Sequence, residues 1–385
     1  MKNKRVLVAM SGGVDSSVAA AILNEAGYEV IGATMKVWPK ELCGKEKEKA
    51  CCSLKDIEDA RKVSRVLGIK HYVLNLEADF QKNVIDYFVK EYLAGKTPNP
   101  CIVCNEKIKF GSLLKKAIGL GCNFIATGHY ARIEMEPTRA NARGSLGGIL
   151  SPPLVSVAGE CINGSYGLRE SVDKAKDQSY VLFCLKQSQL KKILFPIGNF
   201  TKDDIRRKAK ELELNIYDKP DSQEICFVPD NNYSDFIKKY RNIKPQKGNI
   251  IDRSGKALGN HMGFWNFTIG QRRGLGIAAK EPLYVTEIRP KHNIIVVGAA
   301  EDVKKKRFLV KKINWLAKDT EKEKDLEVKI RYNHKKAWAY VKDLGGNIAE
   351  VDFKEPQSAI TPGQAAVFYD GEYVSGGGWI DKILS

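Results

Sequence analysis

Ser11-Gly12-Gly13-Val14-Asp15-Ser16-Ser17 lies between a short apolar run, Arg5 to Met10, and an Ala-rich run, Val18 to Ala26, that ends at Gly27. The apolar run reads as a buried strand and the Ala-rich run as a helix, so the heptapeptide is a strand-to-helix loop. In such a loop consecutive backbone N–H groups and the positive helix end converge on phosphate oxygens. The paired glycines let the backbone approach closely, while Ser11, Ser16 and Ser17 add hydroxyl donors. Ala9, Met10 and Val14 frame the loop, and Asp15 is a candidate ligand for Mg²⁺ against a pyrophosphate. The plain alternative is a Gly-Ser turn at a strand end. No Gly-Lys-Ser/Thr follows, so the lysine that steadies a γ-phosphate is missing. Cleavage that releases pyrophosphate therefore suits the loop better than transfer of a γ-phosphoryl group.

The alternation continues. Strands are expected at Tyr28 to Met35, His71 to Leu76 and Asn123 to Thr127, with helices at Ser53 to Leu67, Asp79 to Leu93 and Gly111 to Ile118. That order predicts an α/β fold with a doubly wound parallel sheet. Between Glu134 and Ser171 the pattern fails in RANARGSLGGILSPPLVSVAG, which predicts an irregular surface insertion near 135–170. Helical periodicity returns at Gln178 to Leu194 and at Lys202 to Leu212. From Gly248 onward short Val-, Ile-, Tyr- and Trp-containing runs separated by Gly or Asp turns predict an antiparallel barrel or sandwich. The 385 residues divide into an expected α/β domain, 1–225, a small central domain, 226–292, and a C-terminal β-barrel, 293–385.

A formal net charge of +17 favours a polyanionic partner, nucleic acid first, over a basic surface kept for solubility. No apolar run approaches the roughly 18 residues of a membrane span, and the N-terminal MKNKRVLVAMSGG reads as a strand rather than a signal peptide. A cytoplasmic protein is expected. Nine cysteines in a long chain of this kind point to reactive or metal-binding thiols rather than a disulfide framework.

Thr97-Pro98-Asn99-Pro100-Cys101-Ile102-Val103-Cys104-Asn105 carries a Cys-x-x-Cys with three readings: metal ligation, redox cycling, or a nucleophilic thiolate. A second Cys or His pair at zinc spacing is missing nearby, while Lys107, Lys109 and a following helix N-terminus favour thiolate. Cys226, in Asp221-Ser222-Gln223-Glu224-Ile225-Cys226-Phe227, reads by itself as a buried apolar cysteine. Cys43, Cys51 and Cys52 cluster without an evident fourth ligand, with Ser53 as a candidate helix N-cap. Cys122, Cys161 and Cys184 read as structural.

The heptapeptide is close to the SGGxDS signature of the ATP pyrophosphatases. Together with CCSLKDIEDARKVSRVLGI, TPNPCIVCNEKIKF, ATGHYAR, KDQSYVL, DSQEICFV and FTIGQRRGLGI, it makes nearly the whole chain resemble the bacterial and organellar tRNA-specific 2-thiouridylases. The resemblance implies ATP and Mg²⁺ as cofactors and ATP-dependent sulfur insertion at C2 of the wobble uridine. It places Met35 and Gly128 beside the nucleotide, makes Cys104 the nucleophile and Cys226 the persulfide carrier, and leaves these two as a disulfide after turnover. It also implies tRNA and a persulfide donor, a cysteine desulfurase or sulfur-relay protein, as partners. Where many relatives carry Asp, this chain has Cys101. Three thiols, Cys101, Cys104 and Cys226, can hold a [4Fe–4S] cluster with one open iron, the alternative to the persulfide route; a different adenylating synthetase on the same scaffold is a further one.

An enzyme acting on one base of tRNA needs distributed cations and a pocket for the extruded nucleotide. The resemblance places Asn99, Pro100 and Cys101 at that base, Lys176, Asp177 and Gln178 near the anticodon, and Arg331 and Tyr332 beside the tRNA. Phe267, Gln271, Arg272 and Arg273 form an expected aromatic and basic loop for backbone contact. Lys304, Lys305, Lys306, Arg307, Lys311 and Lys312 read either as an RNA-steering run or as a solvated edge strand.

Overall fold

The computed structural model describes residues 4–37, 54–135, 165–220, 225–228, 231–317 and 322–384. Cys43, Cys51, Cys52, Ser53, Cys161 and most of the expected insertion lie outside the described residues.

Strand β1 (Arg5–Ala9) runs through the middle of a parallel sheet, with β2 (Glu29–Lys36) and β3 (Lys70–Asn75) on one side and β4 (Phe124–Thr127) on the other. Alternation along β1 explains its near-continuous apolar character. Leu7 joins a core on one face with Ile31, Ala33 and Ile125, whereas Val6 and Val8 join the opposite core with Val30, Phe124 and Ala126. A strand buried on both faces requires helices on both. Helix α1 (Val14–Glu25) covers one face through Val14, Val18, Ala19 and Ile22, with α2 (Leu54–Val66) beside it. The helical stretches 77–93 and 100–119 cover the other through Phe80, Phe88, Ile102 and Ile108. The expected doubly wound sheet is therefore present.

Two expectations for this region are corrected. Gln178 to Leu194 is not one helix. It is a 3₁₀ turn at Ser179–Leu182, a short helix at Gln187–Leu190 and a fifth parallel strand at Ile193–Leu194. Its apolar side chains keep helical spacing because Tyr180, Leu182, Leu185, Leu190 and Ile193 all turn into the same core. The ends of the irregular segment are regular: β5 (Ala131–Met135) and β6 (Tyr166–Glu170) form an antiparallel hairpin. Counting the fifth parallel strand as β7 gives the order β3-β2-β1-β4-β7.

The central sheet combines β8 (Gly248–Ile251), β9 (Ala257–His261), β10 (Tyr284–Arg289) and β11 (Ile294–Gly298) in the order β10-β11-β8-β9. The expected boundary after residue 292 falls at the turn of the β10–β11 hairpin, so Ile294–Gly298 stays with the central sheet. Six strands follow: β12 (Lys304–Trp315), β13 (Glu323–Lys329), β14 (Ala337–Gly345), β15 (Ile348–Ser358), β16 (Ala365–Asp370) and β17 (Tyr373–Ile383). They are ordered β12-β15-β14-β13-β16-β17 and closed by β12–β17 pairing, giving an antiparallel barrel. Closure corrects the edge-strand reading of the basic run. Strand β12 is paired on both sides, and Arg307 and Lys311 are held by Glu350 and Asp381.

The β5–β6 hairpin joins the barrel through Tyr373 opposite Arg169. Glu372 fixes this junction, accepting from Arg169 Nε at 2.7 Å, Arg132 Nη2 at 3.0 Å and Lys174 Nζ at 2.7 Å. These cations, Lys174 first, pull the Glu372 carboxyl down to about 2. Its ordinary value is 4.5, so the linked stability is complete above that pH and is lost as the pH falls toward 2. With the side chain 37% exposed, screening limits the contribution to about 1 kcal/mol. The urea midpoints of wild type and Glu372→Gln should differ at pH 6 and converge on acidification; a constant gap would contradict this linkage.

Candidate active site

The phosphate loop begins where β1 ends and α1 starts. Gly12 takes a φ of +73°, and a Cβ there would lie 2.3 Å from the Asp56 carbonyl oxygen, so α2 backs the loop directly. Ser16 Oγ accepts from Ser11 N at 3.1 Å and donates to the Gly13 carbonyl at 3.1 Å, while Ser17 Oγ donates to the same carbonyl at 2.9 Å. Gly13, the N-cap of α1, has no side-chain cap, which leaves the helix N-terminus open to an anion. Gly128 abuts the loop, since a Cβ there would sit 2.6 Å from Ser16 N. Met10 is buried, and its carbonyl accepts from Thr34 Oγ1 at 2.8 Å on the strand that carries half-buried Met35. Ala9, Met10 and Gly128 thus adjoin residues 11–17, and Met35 follows the threonine that bonds Met10.

Three polar partners of this loop had no local signal in the sequence. Asp15 accepts from Lys202 Nζ at 2.8 and 2.9 Å and from the Tyr130 hydroxyl at 2.8 Å. Lys219 Nζ donates to the Gly12 carbonyl at 3.0 Å, Asp56 at 2.7 Å and Asp59 at 2.8 Å. Lys219 therefore locks the loop to α2. Its replacement by Met leaves two carboxylates side by side and one carbonyl without this donor, at a cost of about 1–3 kcal/mol. Lys219→Met should lower the urea midpoint and weaken ATP binding together; unchanged ATP affinity would separate the lysine from the loop.

The thiol helix starts at Pro100. Asn99 caps it by accepting from Ile102 N at 3.3 Å, and buried Pro100 occupies the first turn, where its missing N–H costs nothing. Cys101 is exposed and Cys104 half-buried. The segment before the helix is held from two other domains. Thr97 N donates to the Pro362 carbonyl at 2.9 Å, Gln364 Nε2 to the Thr97 carbonyl at 2.9 Å, and Thr97 Oγ1 to Thr268 Oγ1 at 3.3 Å. The same helix reaches the nucleotide side through Lys109 Nζ, 3.2 Å from His129 Nε2, whose Nδ1 lies 2.7 Å from Thr127 Oγ1. Burial, then Lys109, holds the His129 imidazole well below its ordinary range, so it is neutral at pH 7.

Cys226 is also half-buried and packs on the core that receives Cys104. The next residue, Phe227, is fully enclosed, edge-on to Phe80 at 5.7 Å and Phe88 at 5.2 Å. Those rings belong to the helical stretch that packs beside the thiol helix. One core therefore anchors both cysteine segments.

The expected RNA contacts divide into two groups. Arg331 is exposed, its guanidinium donating to the Ser358 carbonyl at 3.1 Å, and Tyr332 is 38% exposed. Lys329 Nζ lies 5.6 Å from the Tyr332 ring and 5.8 Å from the Tyr180 ring. Burial holds the Tyr332 hydroxyl above its ordinary range. Lys176 is half-buried at a turn. Asp177 is buried and accepts from Ser171 N at 3.0 Å and Ser179 Oγ at 2.7 Å, so its carboxylate shapes the turn that carries Lys176 and Gln178. Burial shifts its carboxyl upward. Gln178 accepts from Tyr130 N at 3.0 Å and so shapes the nucleotide side. Phe267 is buried against His261, whereas Arg272 and Arg273 are exposed.

As folded, both Asp15 carboxylate oxygens accept from the Lys202 ammonium and keep further lone pairs, so the residue can still face a cation beside a pyrophosphate. Among the described residues no group of three His, Cys, Asp or Glu is arranged to hold a metal ion, and Cys101, Cys104 and Cys226 form no such set. The three-thiol cluster therefore lacks geometric support. Cys122 and Cys184 are buried, as expected of structural thiols. No helix of the described residues is long and apolar enough to cross a membrane.

A Gly-Ser loop and an open helix N-terminus at the carboxyl edge of a parallel sheet, with a four-stranded central sheet and a closed barrel bracing a thiol-bearing helix, define an α/β nucleotide-binding class with appended β domains. Residues 4–230 match the family model described as a tRNA methyl transferase HUP domain. Residues 234–299 match its PRC-barrel domain and 305–380 an aminomethyltransferase β-barrel domain. A tRNA-specific 2-thiouridylase of Carboxydothermus hydrogenoformans is 47% identical over 99% of this chain and 98% of its own. Those of Lachnoclostridium phytofermentans and Geotalea uraniireducens are 46% and 48% identical over 98% and 100% of this chain, and 100% and 96% of their own. The chain belongs to the tRNA-specific 2-thiouridylase family.

Proposed function

We propose that this chain is a tRNA-uridine 2-sulfurtransferase that uses ATP and an enzyme persulfide to replace the C2 oxygen of the wobble uridine with sulfur. The observation that carries the reading is the shared core beneath Cys104 and Cys226, at the far end of a helix tied through Lys109 and His129 to the phosphate-loop side.

The uracil O2 attacks the α-phosphorus of ATP, pyrophosphate leaves, and the N3 proton goes to solvent. Loop N–H groups and the open end of α1 stabilise the phosphate charge. The terminal sulfur of a Cys226 persulfide, loaded by a cysteine desulfurase or sulfur-relay protein, then attacks C2. AMP departs with the former O2. The Cys104 thiolate attacks Cys226 Sγ, the S–S electron pair passes to the sulfur on C2, and N3 regains a proton. The products are 2-thiouridine, AMP and a Cys104–Cys226 disulfide, which an external thiol reduces.

Arg331, Tyr332, Lys329 and Lys176 line the tRNA path in this reading, with Asn99 and Cys101 at the flipped base. The test is nucleoside analysis of a tRNA transcript incubated with the full chain, ATP and a low-molecular-weight persulfide. 2-Thiouridine at the wobble position is expected, and none should form without ATP. Formation without ATP would overturn the activation step.

A further inference from the structure

The mechanism above uses two thiols and leaves a third at the same site. Cys101 and Cys104 are three residues apart on one helix, where Cα atoms separated by i, i+3 lie about 5 Å apart. That falls inside the window of roughly 4.4–6.8 Å that a disulfide requires. The Asn99 cap and Pro100 fix the helix start, so the spacing is set by the fold. Exposure differs along the pair: Cys101 is exposed, while Cys104 and Cys226 are half-buried on the core. Cys184, near Cys104, does not compete, because it is buried with its Sγ 3.7 Å from the Ile102 carbonyl.

We propose that Cys101 is the resolving thiol of the reaction cycle. The inference rests on the persulfide reading of Cys104 and Cys226. After sulfur transfer, the Cys101 thiolate attacks Sγ of Cys104 in the Cys104–Cys226 disulfide. A Cys101–Cys104 bond forms, and Cys226 leaves as a thiolate ready to be reloaded. Two electrons from an external thiol, a glutathione-type monothiol used twice or a dithiol used once, then reduce the exposed Cys101–Cys104 disulfide. The oxidised pair thus comes to include exposed Cys101, within reach of a reductant once the tRNA has left, and Cys226 can be reloaded independently of that reduction.

The experiment follows one turnover of full-length chain, loaded with inorganic polysulfide, on tRNA and ATP without reductant. Acid quenching, alkylation and peptide mass analysis then map the disulfides. Wild type should end with Cys101 joined to Cys104 and Cys226 alkylated, whereas Cys101→Ser should end with Cys104 joined to Cys226. In a second assay with glutathione as the reductant, wild type is reduced at the exposed Cys101–Cys104 bond and Cys101→Ser only at the half-buried Cys104–Cys226 bond, so the steady-state rate relative to the first-turnover burst should fall severalfold in the variant. Wild type that ends as Cys104–Cys226 with Cys101 alkylated overturns the proposal, and that result needs no variant. A burst-to-steady-state ratio unchanged in Cys101→Ser also overturns it. If wild type forms no thiolated tRNA and no disulfide while Cys226 is demonstrably persulfidated, the persulfide reading itself fails, and the resolving role with it.

Discussion

Cys226→Ser abolishes sulfur incorporation into tRNA, with a loss of about a thousandfold or more of the kind that follows removal of a reacting atom. A serine oxygen cannot carry the persulfide sulfur. Activation does not need that sulfur, so ATP–pyrophosphate exchange in the presence of tRNA should persist. Cys226 lies half-buried beside Phe227, which the rings of Phe80 and Phe88 fix, so the isosteric change leaves the packing intact. The paired assay also separates classes of protein. A ligase on the same scaffold would keep its full activity, and an RNA-binding protein would show no exchange at all. Full thiolation by the variant would exclude Cys226 as the sulfur carrier.

Gly12→Ala is expected to stop the reaction one step earlier. The residue sits at φ +73°, and a methyl group there would meet the Asp56 carbonyl at 2.3 Å. Neither partner can yield cheaply, since both are backbone and Lys219 already ties the Gly12 carbonyl to Asp56 and Asp59. Overpacking of this type costs about 1–3 kcal/mol, and a shift of about 1 Å in the phosphate cradle lowers the ATP-dependent rate roughly a hundredfold. Gly27→Ala is the matched control. Gly27 also has a positive φ, +82°, but nothing lies within 4 Å of its added Cβ. It should lose about 1–2 kcal/mol of stability and retain pyrophosphate exchange. Equal exchange rates for the two variants would contradict the close approach at Gly12 as the cause.

Much of the α/β layer was legible because a strand buried on both faces, such as Val6-Leu7-Val8, and a loop of paired glycines are local patterns. The Gln178 to Leu194 error shows where periodicity stops being informative. Tyr180, Leu182, Leu185, Leu190 and Ile193 face one core through a 3₁₀ turn, a short helix and a strand, which apolar spacing does not distinguish from one helix. Lys202 and Lys219 were missed for another reason. Their partners are 187 residues away at Asp15 and 207 at Gly12, and a long-range ion pair leaves no mark on neighbouring residues. Asp177 and Phe267 looked like surface contacts because each stands beside polar or basic residues, yet folding buries both. Residue order alone did not show that the two cysteine segments pack on one core; the resemblance implied their pairing, and Phe227 seats the second segment against Phe80 and Phe88.

The central claim is that the wobble uridine is activated through its own C2 oxygen and then receives sulfur from this chain. Heavy oxygen placed at O2 of that uridine, in tRNA treated with the full-length persulfidated chain and ATP, tests it in one experiment. The account predicts that the label leaves in the phosphate of AMP, one labelled atom for each 2-thiouridine formed. Label recovered in water, or thiolated tRNA formed with unlabelled AMP, would contradict it.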